Sequence, residues 1–456
     1  MIPNKIISHR EILLIIRIML IFLFTVAFYS NAQELKTISD ESKKALIDEL
    51  TEKIEKYYTY PEIGMKLKKE INKKFNSGEY SKYKTIGELT QQLTEDLIAI
   101  SNDTHFLLFH DPERAAYMLA AEEGDKKDLG EYLEGENRWN NFGFKELKIL
   151  DGTIGYLDLR EFCNLKSAGE TATTAMNFFS NCNALIIDLR NNGGGSDEMV
   201  TYLASYFLDT DEALILNISY STVDDAYWSS MTSAYVPGKK LADIPLYILI
   251  SSSTASAAEG FTNIMKHLNK NAILVGSKTA GAENPVNYIV VDNEYVLRIP
   301  SWRKIYSKIS TGWEAEGITP DIEVESSEAL QTAHLLALKK LIENTSDQNK
   351  IKRLQWSLDG VIAENSPAVV SEDILKQYVG KYGNRDIYFE NGDLLYQYKG
   401  RTKRKMKAIS ADYFVVEGYD WFRVKFIYKE GVVTGFQEVL SDISHGGGPI
   451  LTKEEF

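Results

Sequence analysis

Cysteine is nearly missing from this 456-residue chain, which holds only Cys163 and Cys182. Two thiols cannot build a disulfide framework, and no Cys/His cluster has zinc-ligand spacing, so neither a metal nor a cofactor is expected. The two cysteines read as small buried apolar residues beside core strands, with a single bridge in an oxidising compartment as the alternative. A surplus of positive charge is also absent. With 51 Lys and Arg against 65 Asp and Glu the net charge is −14, which favours solubility and argues against nucleic acid or anionic membrane as partner. Beyond the first thirty residues no apolar run is long enough to span a bilayer.

The N-terminus reads as a removable signal peptide. Lys5 and Arg10 precede an apolar run from Ile18 to Phe28, and Ser30-Asn31-Ala32 offers small residues for cleavage, so residues 1–32 are assigned to export into the periplasm or the exterior. Arg17 interrupts the longer apolar stretch, which places a retained membrane anchor second. No cysteine follows the run, against a lipid-modified N-terminus.

The centre of the chain holds two strand-to-helix junctions. Leu246 to Ile250 is a run of apolar residues bounded by Pro245 and Ser251, as in a strand covered on both faces. After it, Phe261, Ile264, Met265 and Leu268 recur at helical spacing. Ser256 therefore falls at a helix N-terminus, where free N–H groups and the positive dipole end stabilise developing negative charge. A capping role for such a hydroxyl cluster is the plain alternative. The second junction, Ala184 to Gly195, is another buried strand ending in Gly193-Gly194-Gly195, whose backbone can approach a ligand closely. It has neither the spaced GxGxxG of a dinucleotide site nor the lysine of a phosphate loop.

Together these segments resemble the C-terminal-processing and tricorn-type serine peptidases, whose core carries D-L-R-x-N-x-G-G, then S/T-A-S-A-x-E, then V-G-x-x-T-x-G. All three occur here in order, at Asp188 to Gly195, Thr254 to Glu259 and Val275 to Gly281. The resemblance implies Ser256 as nucleophile and the N–H groups of Gly194 and Ala257 as the oxyanion hole, with Gly195 close behind Gly194. Where serine/lysine members place their base lysine, this chain has Ala282. It is therefore similar to the lysine-free branch that includes tricorn and the repeats of the interphotoreceptor retinoid-binding protein. That branch implies a histidine from the N-terminal part, here His105 in SNDTHFLLF, and a late glutamate, here Glu314 in GWEAEGITPD, with Glu316 in reserve. His110 is a weaker rival to His105. An imidazole suits proton transfer near neutral pH, and a carboxylate on its other nitrogen fixes the tautomer. Glu259 is expected one turn after Ser256, orienting its neighbours.

The remaining pattern divides the chain. Leu46, Leu50 and Ile54, then Leu89, Leu93, Leu97 and Ile100, form helical stripes, so residues 33–137 read as an N-terminal helical unit whose charged end, 120–137, is a solvated connection or a flap. Alternating strands and helices over 138–325 imply an α/β core, which the resemblance narrows to a crotonase/ClpP-like ββα superhelix, without room for a PDZ domain. A helical connection, 326–366, then leaves the core. Short strands with an Asn391-Gly392 hairpin turn make 367–456 a small all-β domain, a meander or barrel, and its basic cluster from Lys399 to Lys407 reads as a solvated hairpin edge. The function expected is an exported serine peptidase acting on peptides or proteins through an acyl-enzyme. The runner-up is a catalytically silent carrier of hydrophobic ligands or a scaffold on the same fold.

Overall fold

The computed structural model describes residues 36–122, 137–308, 312–441, 448 and 450–454. The signal-peptide assignment and most of the charged connection lie outside these residues.

Three helices open the described chain: α1 (Asp40–Tyr57), α2 (Pro61–Asn76) and α3 (Ile86–Ser101). Ser39 caps the first, and a Thr85–Glu88 capping box starts the third. Leu46, Leu50 and Ile54 of α1 and Leu89, Leu93 and Leu97 of α3 share one apolar cluster with Leu67 and Ile71 of α2, all fully buried, while Ile100 is half-buried at its margin. Asn102 ends α3 in the left-handed region, φ +59°, turning the chain into β1 (Leu107–His110), which α4 (Pro112–Glu122) follows. That short strand pairs antiparallel with β10 (Tyr295–Pro300), Leu108 opposite Leu297, and β10 pairs in turn with β9 (Val286–Val291). Asp292, Asn293 and Glu294 form the turn from β9 to β10, the first two with φ +49° and +54°, a left-handed conformation that Asp and Asn tolerate. Val291, Tyr295, Leu297 and Ile299 belong to the same apolar cluster as the helices. The helical unit is thus docked onto a hairpin that is remote in sequence.

The central sheet has six strands. In spatial order they are β12 (Ile322–Glu323), β8 (Ala272–Gly276), β7 (Leu246–Ile250), β4 (Ala184–Asp188), β3 (Ile154–Leu159) and β2 (Phe144–Leu150). All neighbours are parallel except β2 with β3. Residues alternate between its two faces. Leu185, Ile187, Leu246 and Ile248 meet α5 (Leu165–Phe178), α6 (Asp197–Phe207) and α7 (Ala257–Leu268) on one side, and Ala184, Ile186, Tyr247 and Leu249 meet the other. Here the structure corrects an expectation. The helix α8 (Ala329–Glu343) does not leave the core but covers its second face through Ala329, Ala333, Ala337 and Leu341. Small residues four apart allow close approach of helix to sheet. A separate small sheet, β11 (Trp302–Ser307), β5 (Ile215–Ser221) and β6 (Ala226–Met231), stands beside α6.

After α9 (Gln348–Asn365) the chain forms an eight-stranded antiparallel meander between Gly380 and Thr452, its strands in sequence order. The Glu454 N–H donates to the Lys381 carbonyl at 2.8 Å, bringing the last strand against the first. The result is a near-barrel filled by aromatic rings such as Tyr378, Phe426 and Phe436. The basic cluster is not at a sheet edge. Arg404–Ser410 is an interior strand with Met406 and Ala408 turned inward, and Lys403 and Lys405 pair with Glu390 and Asp393. Both cysteines are free and buried.

Candidate active site

Ser256 stands at the start of α7, immediately after the Ser251–Ala255 turn that follows β7. Its φ of +52° and ψ of −122° lie where a non-glycine residue is strained by about 1–3 kcal/mol. A strained strand-to-helix turn of this kind is how a nucleophilic hydroxyl is held out from its own backbone. The Glu259 carboxylate keeps the turn in place. It is fully buried and accepts four donors: Ser256 N at 3.0 Å and Ala282 N at 2.8 Å on one oxygen, Thr279 Oγ1 at 2.5 Å and Gly281 N at 2.8 Å on the other. The serine turn and the 279–282 segment are therefore one unit.

The glycine turn after β4 presses against it. Gly194 and Gly195 have φ of +116° and +132°. A Cβ on Gly194 would lie 2.8 Å from the Ser256 Cβ and 3.0 Å from the Ala257 nitrogen. Yet the Gly194 N–H, expected in the oxyanion hole, already donates to Asn192 Oδ1 at 2.9 Å. A side chain two residues back satisfies a donor that the motif alone leaves free. Gly195 and Ala257 instead line a cavity of about 650 Å³ together with Ser256, Glu283, Trp302 and Trp313, and their N–H groups have no partner among the described residues.

His105 is buried, at 6 % exposure, between α3 and β1. Its carbonyl accepts from the Arg298 guanidinium on β10 at 2.7 Å, so the strand pairing fixes its height above the core. Its Nδ1 lies 2.9 Å from Asp103 Oδ1 and 3.6 Å from Glu314 Oε1, and its Nε2 is buried without a partner. Glu314 is tied to the serine unit by a reciprocal clamp. Its Oε2 accepts from Glu283 N at 2.7 Å and Asn284 N at 3.1 Å, while Glu283 Oε2 accepts from Trp313 N at 2.7 Å and Glu314 N at 3.3 Å. Segment 281–284 thus touches Glu259 below Ser256 at one end and Glu314 beside His105 at the other. No hydrogen bond joins Ser256 to His105 in this structure.

The two carboxyls by His105 differ. Burial alone would raise Asp103, but hydrogen bonds from the His105 ring and backbone and from the Tyr58 hydroxyl hold it below the ordinary carboxylate range. Burial raises Glu314, the Asp103 charge adds to the rise, and His105 with the two backbone N–H groups offsets part of it. Asp103 was missed in the sequence although it sits in the quoted SNDTHFLLF segment. The signal was its i−2 spacing to His105, which suits an Asx-type turn onto the His105 N–H. Glu316, the reserve candidate, is exposed. His110 pairs instead with Glu294 at 3.3 Å at the far end of β1. Asp103, His105 and Glu314 bring ligand atoms within 4.8 Å of one another, but a proton on Nδ1 is needed for the Asp103 bond, at the position a cation would take.

A family model described as "Peptidase family S41" matches residues 153–324. The central domain belongs to peptidase family S41. Residues 29–132, which include His105, match the "N-terminal domain of Peptidase_S41 in eukaryotic IRBP". The chain is similar to a "Probable CtpA-like serine protease" of Staphylococcus saprophyticus, 26 % identical over 241 residues, covering 52 % of this chain and 47 % of that protein. The chain thus spans about half the length of the curated relatives it matches. Among solved structures, a lipoprotein from Streptococcus agalactiae shares 17 % identity over 67 % of this chain and 98 % of its own, with TM-score 0.42. A photosystem II D1 C-terminal processing protease shares 13 % over 69 % and 99 %, with TM-score 0.39.

Proposed function

We propose that the S41 domain and the N-terminal helical unit together form a serine peptidase that cleaves peptides or proteins through an acyl-enzyme. Ser256 Oγ attacks the carbonyl carbon and passes its proton to His105 Nε2. The oxyanion is received by the N–H groups of Gly195 and Ala257, in place of the Gly194 donor expected from the motif. His105 returns the proton to the leaving amine, and water then releases the acyl group by the same steps reversed. Glu314 fixes the loop between nucleophile and base. The observation that carries this reading is the placement of His105: Nδ1 lies against a carboxylate and Nε2 is buried without a partner, the arrangement that a general base requires.

Export belongs to the same proposal and is supported by the charge and apolar pattern of residues 1–32. No helix among the described residues is long and apolar enough to cross a membrane. A carrier reading draws on the aromatic wall of the cavity, where Tyr227 and Trp228 are exposed beside Trp302 and Trp313, but a carrier has no use for an oriented imidazole. A fluorophosphonate probe decides between them. Labelling and peptide cleavage that both vanish in Ser256→Ala and His105→Ala support the peptidase, and a folded wild-type protein that takes up no label refutes it.

A further inference from the structure

We propose that Asp103, rather than Glu314, is the carboxylate that orients His105 and stabilises its protonated form during turnover. This rests on the serine-peptidase reading and deepens it.

Distance decides first. Asp103 Oδ1 is 2.9 Å from Nδ1, a hydrogen bond, while Glu314 Oε1 at 3.6 Å lies outside hydrogen-bond range. Asp103 is also committed to the ring. Asp103 is 3 % exposed and fixed at three points: Oδ1 accepts from the His105 ring and from the His105 N–H at 3.0 Å, and Oδ2 accepts from the buried Tyr58 hydroxyl at 3.1 Å. Each donor stabilises the ionised form, so the residue presents a fixed negative charge to the ring. Tyr58 itself is locked by packing on Phe106, centroids 4.9 Å apart. Glu314 has other duties, since its Oε2 is filled by the N–H groups of residues 283 and 284. A carboxylate used in that way holds a loop and needs no charge to do so. The charged and titratable groups around the ring are Asp103, Glu314, Tyr58, Tyr60 and Arg298. Of these, only Asp103 is an acceptor within hydrogen-bond reach of the imidazole.

Asp103 therefore acts through His105 as a positioning residue. In the acylation step the Ser256 proton moves to Nε2, the ring becomes a cation, and the adjacent anion offsets that charge without taking a proton itself.

The test compares Asp103→Asn with Glu314→Gln in full-length protein. Asparagine keeps the shape and removes the charge, so kcat should fall on the order of a thousandfold with KM within about threefold. The acid limb of kcat/KM should move about one pH unit lower, because an imidazolium without its anion loses its proton more readily. Glutamine at 314 keeps an oxygen for the two backbone N–H groups, so kcat should fall by no more than about tenfold. The reverse ranking, or an unmoved acid limb in Asp103→Asn, overturns the proposal. A measurement on the unsubstituted protein guards against misfolding of the variant. Nitrogen NMR of labelled histidine, with His105→Gln assigning the signal, should show the proton on Nδ1 near neutral pH, and a ring protonated on Nε2 alone overturns the proposal. If the protein takes no fluorophosphonate yet its ring is the Nδ1–H tautomer, the peptidase reading fails and the Asp103 contact stands.

Discussion

Replacing Glu259 by glutamine should loosen the core and, on the proposed peptidase reading, slow turnover, with a stability loss that can be worked out from its four donors. A carboxylate accepts on both oxygens, whereas an amide accepts on one and donates from the other. If the amide nitrogen faces Thr279 and Gly281, the threonine hydroxyl can rotate to accept, but the Gly281 N–H is left unpaired in a buried site, costing about 1–3 kcal/mol. The opposite orientation strands both Ser256 N and Ala282 N and is worse. In the better orientation the two retained bonds also change from charge-assisted to neutral, which roughly halves them and removes about 1 kcal/mol each. The expected loss is about 3–5 kcal/mol. Urea unfolding followed by tryptophan fluorescence reads it as a lower midpoint, since Trp313 is buried against the same loop. Because Ser256 N is one of the four donors, kcat should drop as well. A loss under about 1 kcal/mol with full turnover would contradict the view that this carboxylate ties the serine turn to the 279–282 segment.

Three further outcomes follow from the same structure. Gly194→Ala puts a methyl 2.8 Å from the Ser256 Cβ at a φ of +116°, and its fluorophosphonate labelling rate should fall more than about a hundredfold, read by a time course of probe incorporation. Leu297→Ala removes a fully buried contact between β10 and the helical unit, at about 2–5 kcal/mol, and should increase proteolytic nicking within residues 36–122 while activity falls. Glu314 has a folded-state pKa raised above its ordinary 4.5, so the native state binds more protons than the unfolded one between the two values. Its stabilising effect is present below 4.5 and lost as pH rises through the higher folded value. Glu314→Gln should flatten the decline in stability over that window, as measured by urea midpoints across pH. Asp103 has the opposite sign: its contribution is present above its ordinary value and lost as pH falls through the depressed one.

Much of this was legible in the sequence because it depends on local pattern. The strand Leu246–Ile250 and the helix after it follow from a run of apolar residues and a helical stripe, and the hairpins at Asp292-Asn293 and Asn391-Gly392 follow from turn chemistry. What escaped depends on partners far away in the chain. The occupancy of the Gly194 N–H is set by the rotamer of Asn192, which in turn donates to the Leu159 carbonyl at 2.9 Å. The choice between Asp103 and Glu314 turns on a difference of 0.7 Å in their distances to one nitrogen, 2.9 against 3.6 Å. Composition gives no hint of such a margin. The interior place of Arg404–Ser410 was hidden because its two outward lysines, Lys405 and Lys407, outweigh its inward Met406 and Ala408 in hydropathy.

The antiparallel ladder between β1 and β10 spans only four residue pairs, from Leu107–Arg298 to His110–Tyr295, while the sheet bearing the serine is sandwiched by helices. Mild heating should therefore detach His105 before the sheet that carries Ser256 melts. The protein would then pass through a form intact at its centre with His105 displaced, recoverable on cooling, which hydrogen exchange can locate in residues 36–110.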